Sequence, residues 1–281
     1  MDIGIANDLG HLWEWPVGLH FVLSALVGGL LGIGGLSHLL NKKSVARVAI
    51  FISLPLLALD LLALWLDLTR MWRVFWLFLN FRVTAAISWG SWSLLLAGVV
   101  TLLYIAAYIG FIRPSERTMD GFAWALIVLS IAVTSYTGAM LSTSMAARPL
   151  WSSMLLAPLF FASAIAMGAG LLEIFNTGEK VPSWILGIST VGGAILLGFY
   201  IGELYAGTLA VQEAFNTLTK NYRLIWWITV GLGFGLPSFA SFWWMFSQKR
   251  RIWGLTKGIA LLSLFGGTSI RFVLLMAGQV H

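Results

Sequence analysis

Two carboxylates, Asp60 and Asp67, stand in the run "LLALDLLALWLDLTRMWR" (56–73), whose residues 56–68 are otherwise apolar. Seven residues of helix make about two turns and ~10 Å, so the two share one face. An ionisable group in hydrocarbon costs several kcal/mol, and where it persists it faces protein or water and serves protons, ions or substrate. The chemistry this pair offers is proton exchange, with an imidazole or phenol as relay. His20, Tyr136 and the serine-flanked "SWGSW" (88–92), which contains Ser88, supply such groups. Further charges lie in apolar surroundings: Glu173, Glu203 and Arg271. Glu203 and Arg271 could pair, which would lower the cost of both.

Plainer readings stand beside these. His20 can be an interfacial residue, Tyr136 an interhelical hydrogen-bonder, and Asp67 a solvated or Arg70-paired carboxylate. Asp60 can be a structural hydrogen-bonder, Glu203 and Arg271 a structural ion pair, and the "SWGSW" glycine and serines close-packing residues.

The elements that position these groups follow from composition. Of 281 residues, 59% are hydrophobic and 10% charged, against about 25% charged in a soluble domain. The chain reads as an all-α integral membrane protein, a single membrane domain over 1–281. A membrane helix needs roughly 20 apolar residues. Eight such spans are predicted, at about 16–40, 46–66, 84–111, 121–143, 150–175, 183–206, 223–247 and 254–277. They group as two four-helix bundles, about 16–143 and about 150–277. Long apolar runs without alternation argue against membrane β-strands. No cleavable signal peptide is expected, because "MDIGIANDLGHLWEW" lacks a basic leading segment.

Orientation follows from basic residues in the loops. Odd-numbered loops carry ten: Lys42, Lys43, Arg47, Arg113, Arg117, Lys180, Lys249, Arg250, Arg251 and Lys257. Even-numbered loops carry six: Arg70, Arg73, Arg82, Arg148, Lys220 and Arg223. The positive-inside rule then places both termini outside the cytoplasm. The net charge of +6 reflects cytoplasmic loops rather than nucleic-acid binding. With this orientation His20, Asp67, "SWGSW" and Tyr136 converge near the outer surface, on the first four helices. A pocket within a helix bundle is a common place for a cofactor.

Several chemistries are disfavoured. There is no cysteine, hence no iron–sulfur cluster or disulfide within this chain. His20 and His38 share one helix, ~27 Å apart, and His11 and His281 lie in the tails, so no facing pair exists to hold a haem. A bound transition metal, a phosphate loop, a serine triad and a metalloprotease motif are equally unsupported.

The sequence resembles the NrfD/PsrC family, the membrane subunits of polysulfide reductase and related molybdopterin oxidoreductases. The residues that carry the resemblance are "GLHFVLSALVGG" (18–29), "LALDLLALWLD" (57–67), "WLFLNFRVTAAISWGSW" (76–92), "SYTGAMLSTSMAARPLW" (135–151) and "RFVLLMAGQ" (271–279). The resemblance implies a quinone site, for menaquinone or ubiquinone, among the first four helices, with His20 and Tyr136 hydrogen-bonding the carbonyls. Polysulfide reductase has an Asn three residues before the matching histidine; here Val17 stands there, and Ser88 is a candidate to supply that contact. It also implies an extracytoplasmic [4Fe-4S] iron–sulfur partner and a molybdopterin catalytic partner, in the cytoplasmic membrane of a prokaryote. Arg148, Pro149 and Trp151 are the expected docking residues.

The function expected on this basis is membrane anchor and quinol/quinone-reacting subunit of a respiratory oxidoreductase, with proton release or uptake. Asp67 would be the mouth of a proton route and Asp60 its deeper station, with Glu203, Arg271 and Glu173 as possible continuations. The rivals are a proton-coupled secondary transporter, which would use the same buried charges, and a passive anchor.

Overall fold

The computed structural model describes residues 15–67, 79–144, 148–175, 179–246 and 253–279. Eight helices among the described residues are long and apolar enough to cross a membrane. They are α1 (Trp15–Leu39), α2 (Lys43–Asp67), α3 (Ala86–Tyr108), α4 (Glu116–Ser144), α5 (Leu156–Phe175), α6 (Val181–Ala206), α8 and α9 (Trp253–Gly278). Between α6 and α8 lies a shorter amphipathic helix, α7 (Leu209–Asn221). α8 has three segments: Arg223–Ile228, a π-helical stretch Thr229–Gly235, and Leu236–Phe246.

Local sequence explains several boundaries. Pro16 and Pro182 sit in the first turns of α1 and α6, where a missing N–H costs nothing. The turn after α1 holds Asn41, whose φ of 58° is left-handed, a conformation Asn tolerates better than most residues. The Lys42 N–H then bonds the Ser37 carbonyl at 2.7 Å, and α2 starts at once. Pro149 opens a single 3-10 turn, Pro149–Trp151, so the fifth span begins at Leu156 rather than near 150. In α8, three glycines lie within the π stretch, and Gly233 sits so close to Gly266 of α9 that an added Cβ would come within 2.5 Å of the Gly266 Cα. Such bulges cluster where helices pack or function.

α1 is the central helix. It packs chiefly against α2, α4 and α5, and Phe21, Val27, Leu30 and Leu31 are wholly buried. Its approach to α5 is close enough that a Cβ on Gly29 would lie 2.2 Å from the Ala164 carbonyl oxygen. Small residues are what permit such backbone contact between membrane helices, where dispersion and hydrogen bonding replace the hydrophobic drive.

Candidate functional site

Three helices bring three titratable side chains together. α1 presents His20, α2 presents Asp60 and α4 presents Tyr136; their exposures are 3%, 0% and 7%. His20 Nδ1 lies 2.7 Å from Asp60 Oδ1, and His20 Nε2 is hydrogen-bonded to the Tyr136 hydroxyl. An ionised carboxylate can only accept, so with Asp60 ionised Nδ1–H donates to it, and the bare Nε2 accepts from the phenol. The other carboxylate oxygen, Oδ2, is buried without a hydrogen-bond partner. Such an orphan marks a place for water or a polar ligand, since native interiors rarely strand one. Ser24, one turn along α1, lies beside the Tyr136 hydroxyl.

The neighbouring chain is shaped to hold this cluster. A Cβ on Gly90 would sit 2.4 Å from Tyr136 Cδ2 and Cε2, so the glycine of "SWGSW" is the seat of the tyrosine ring on α3. Ser91 donates to the Ile87 carbonyl at 2.8 Å within its own helix. Ser88 is engaged elsewhere: its Oγ accepts from the Arg82 N–H at 3.3 Å. Val17 is buried in the apolar cluster that holds Phe21 and Trp151.

The structure relocates several sequence expectations. Asp60 does not stand apart from His20 as a deeper station; it touches the imidazole. The reason is the α1–α2 hairpin: the short Leu40–Lys42 connection pairs residues nearly equidistant from it. Asp67 is the last helical residue of α2; its side chain and its relation to Arg70 lie outside the described residues. So do Arg73, His11, His281 and the basic run at 248–251.

The expected pairing of Glu203 with Arg271 does not occur. Arg271 is fully buried where α9 packs on α5, and donates to the Ser163 hydroxyl at 3.0 Å and to the Gly267 and Phe160 carbonyls at 2.7 and 2.8 Å. Its guanidinium also lies 4.7 Å from the centroid of the Phe160 ring. Glu203 is an exposed residue near the end of α6, and its carboxylate accepts from the Ser153 hydroxyl. Glu173 near the end of α5 is buried and accepts from Ser183 at the start of α6.

Trp151, read as a docking residue, is wholly buried. Its Nε1–H donates to the Leu274 carbonyl at 2.8 Å, which pins the 3-10 turn to α9, so its side chain is not available to a partner. Arg148 reinforces that anchor, donating to the Gly278 carbonyl at 2.9 Å and stacking 5.4 Å from the Trp151 ring centroid. Pro149 is only partly buried.

One cluster escaped sequence reasoning. His38 Nδ1 meets the Tyr104 hydroxyl at 2.7 Å, and His38 Nε2 stands 3.4 Å from Asp120 Oδ1. The signal was available: His38 is eighteen residues from His20, five turns on, so both histidines occupy the same face of α1.

Eight apolar membrane-length helices among the described residues, three of which carry a buried His–Asp–Tyr cluster, define a multi-pass helical membrane protein with a polar site inside it. The sequence matches the NrfD-type polysulfide reductase family over residues 3–281, and the chain belongs to that family. A curated relative is the Hdr-like menaquinol oxidoreductase integral membrane subunit of Archaeoglobus fulgidus. It is 24% identical over 254 residues, which span 82% of this chain and 63% of the relative.

Proposed function

We propose that this chain is the quinone-reacting membrane subunit of a respiratory oxidoreductase, and that the His20–Asp60–Tyr136 cluster is its quinone site. The observation that carries the reading is the clamped imidazole: His20 held between a carboxylate and a phenol from two other helices, all buried. Family membership and a relative that serves a menaquinol oxidoreductase support the same assignment.

The residues fit such a ligand. A quinone presents two carbonyl acceptors when oxidised and two hydroxyl donors when reduced; bound here it would supply the electron-carrying ring. His20 Nε2 and the Tyr136 hydroxyl bond each other, and each can turn to a ring oxygen. Asp60 fixes the tautomer of His20 and, through its unpartnered Oδ2, offers a second proton-accepting atom. The first four helices then form the quinone bundle and the later ones the second bundle. Both termini lie outside, and an electron-carrying iron–sulfur partner with a molybdopterin subunit docks on that side, near Arg148 and Pro149. Asp67 at the end of α2 serves as an outer exit for protons.

The experiment is binding and turnover in the assembled complex. His20→Ala and Tyr136→Phe should each weaken quinone-linked turnover while activity of the catalytic partner with an artificial dye is retained. A quinone located among the later helices instead would overturn the assignment.

A further inference from the structure

We propose that the cavity between the ends of α1, α2, α3 and α4 binds a phospholipid headgroup that carries a primary ammonium, a phosphoethanolamine. The site is independent of the quinone reading, because it lies five turns along α1 from His20, ~27 Å away.

The cavity has a volume of about 640 Å³, and its lining carries charges of both signs. Lys43 at the start of α2 and Arg113 in the α3–α4 connection supply cations. Glu116 and Asp120, one turn apart on α4, supply carboxylates on one helix face. All four residues are exposed. Among the described residues Lys43, Arg113 and Glu116 enter no ion pair, and Asp120 faces His38 Nε2 at 3.4 Å. Opposite charges that line one cavity without pairing with each other are both available to a ligand. A ligand of one sign would be repelled by half of them. A zwitterion satisfies both sets, with its phosphate on Lys43 and Arg113 and its ammonium on Glu116 and Asp120.

The surroundings select a lipid over a soluble phosphate ester. Leu39, Ala107, Ile112 and Met119 form an apolar part of the same lining. Beside it the chain turns at Gly110, with φ of 81°, and the flanking Ile109 and Phe111 are 65% and 83% exposed. Leu36 and Leu40 at the end of α1 are exposed as well. Four membrane-length helices begin or end here, so the cavity lies at headgroup level and these side chains meet the acyl boundary. Aromatic and aliphatic residues at that depth anchor in lipid, and basic pockets between helix ends hold lipid headgroups. The apolar flank gives acyl chains a surface to lie on, which a soluble ester does not need.

The lining also selects the kind of ammonium. A quaternary choline headgroup is read by the faces of aromatic rings. Tyr104 and Tyr108 line the cavity, but both rings are engaged. Tyr104 packs edge-to-face with His38 at 5.4 Å, and Tyr108 with Phe51 at 5.6 Å, with Arg47 5.9 Å from the Tyr108 centroid. Carboxylates instead accept N–H bonds, of which a primary ammonium donates three and a quaternary one none. A glycerol headgroup has no cation, and its phosphate would face Glu116 and Asp120 uncompensated. A bound phosphoethanolamine bridges the start of α2 to the first turns of α4, and a ligand that binds only the folded bundle stabilises it.

The test uses the assembled complex, purified in detergent and stripped of lipid, with dioleoyl phospholipids added back. Phosphatidylethanolamine, phosphatidylcholine and phosphatidylglycerol are compared by thermal melt and by native mass spectrometry. The ethanolamine lipid should raise the melting temperature most and be retained on this chain at several-fold lower concentration than the other two. Glu116→Gln/Asp120→Asn should erase its advantage over phosphatidylglycerol, and Lys43→Gln/Arg113→Gln should weaken all three lipids several-fold. Equal retention of the three lipids by wild type would overturn the proposal, as would tighter binding of phosphatidylglycerol, the mark of an anionic-lipid site. An ethanolamine preference unchanged in Glu116→Gln/Asp120→Asn would refute it too. Soluble glycerophosphoethanolamine is the remaining arm. If it stabilises the complex as well as the lipid does at equal concentration, the site belongs to a soluble phosphate ester and the lipid assignment fails. The wild-type comparison needs no variant, so it stays decisive even where a variant folds poorly.

Discussion

His20 on α1 and Asp60 on α2 meet at 2.7 Å across a tight antiparallel hairpin. The contact places a wholly buried carboxylate where it sets the proton position on an imidazole that also bonds Tyr136. Removing one member of such a cluster strands the others, and an unsatisfied buried group costs about 1–3 kcal/mol. His20→Ala should therefore lower both quinone affinity and thermal stability of the detergent-solubilised protein. Tyr136→Phe keeps the ring and should lower affinity with little change in stability. A thermal melt with and without added quinone separates the two effects.

Asp60 gives a sharper prediction. Asp60→Asn preserves shape and much of the hydrogen bonding but cannot ionise. Steady quinol turnover should fall more than quinone affinity does. Asp67→Asn should do less, because water at the end of α2 can replace a proton acceptor. Normal turnover of Asp60→Asn across the accessible pH range would reduce Asp60 to a structural hydrogen-bonder.

Much of this site was legible in the sequence, and the failures have physical reasons. Apolar run length set the eight spans, and polar residues in those runs singled out His20, Asp60 and Tyr136. What the linear reading misjudged was depth. Spacing along α2 sets Asp60 two turns from Asp67, whereas the short turn at Asn41 sets it level with His20. Buried charge needs compensation, which makes Glu203 the carboxylate that the sequence offers to Arg271. The helix packing compensates it instead with two backbone carbonyls, a serine and an aromatic face. The sequence places Trp151 among the expected docking residues, yet a 3-10 turn folds it against α9. The His38 cluster needs α1, α3 and α4 assembled, and no local pattern announces that.

Topology is a separate expectation. The excess of basic residues in the odd-numbered loops places Lys42–Lys43 in the cytoplasm. Lys42 pairs with Glu179 at 3.0 Å, which ties the α1–α2 turn to the segment before α6 on the same face. Labelling of single-cysteine variants is clean because the chain has no cysteine. A cysteine at Lys43 should react with an impermeant reagent only from the cytoplasmic side. Reaction from the opposite side would invert the assignment of faces.

The last prediction concerns the seat of the tyrosine. Gly90 leaves room for the Tyr136 ring, and a methyl there would stand 2.4 Å from two ring carbons. The ring belongs to a packed interhelical contact, not to the free end of a flexible chain, so it must shift bodily. Overpacking of this kind costs about 1–3 kcal/mol. A displaced ring also carries its hydroxyl away from His20 Nε2. Gly90→Ala should therefore reproduce the loss of quinone affinity expected of Tyr136→Phe while lowering the melting temperature further than Tyr136→Phe does. In the double variant Gly90→Ala/Tyr136→Phe the affinity losses should not add, because both act through one hydroxyl. Additive losses would mean that Gly90 serves the site by another route, such as direct backbone contact with the ligand.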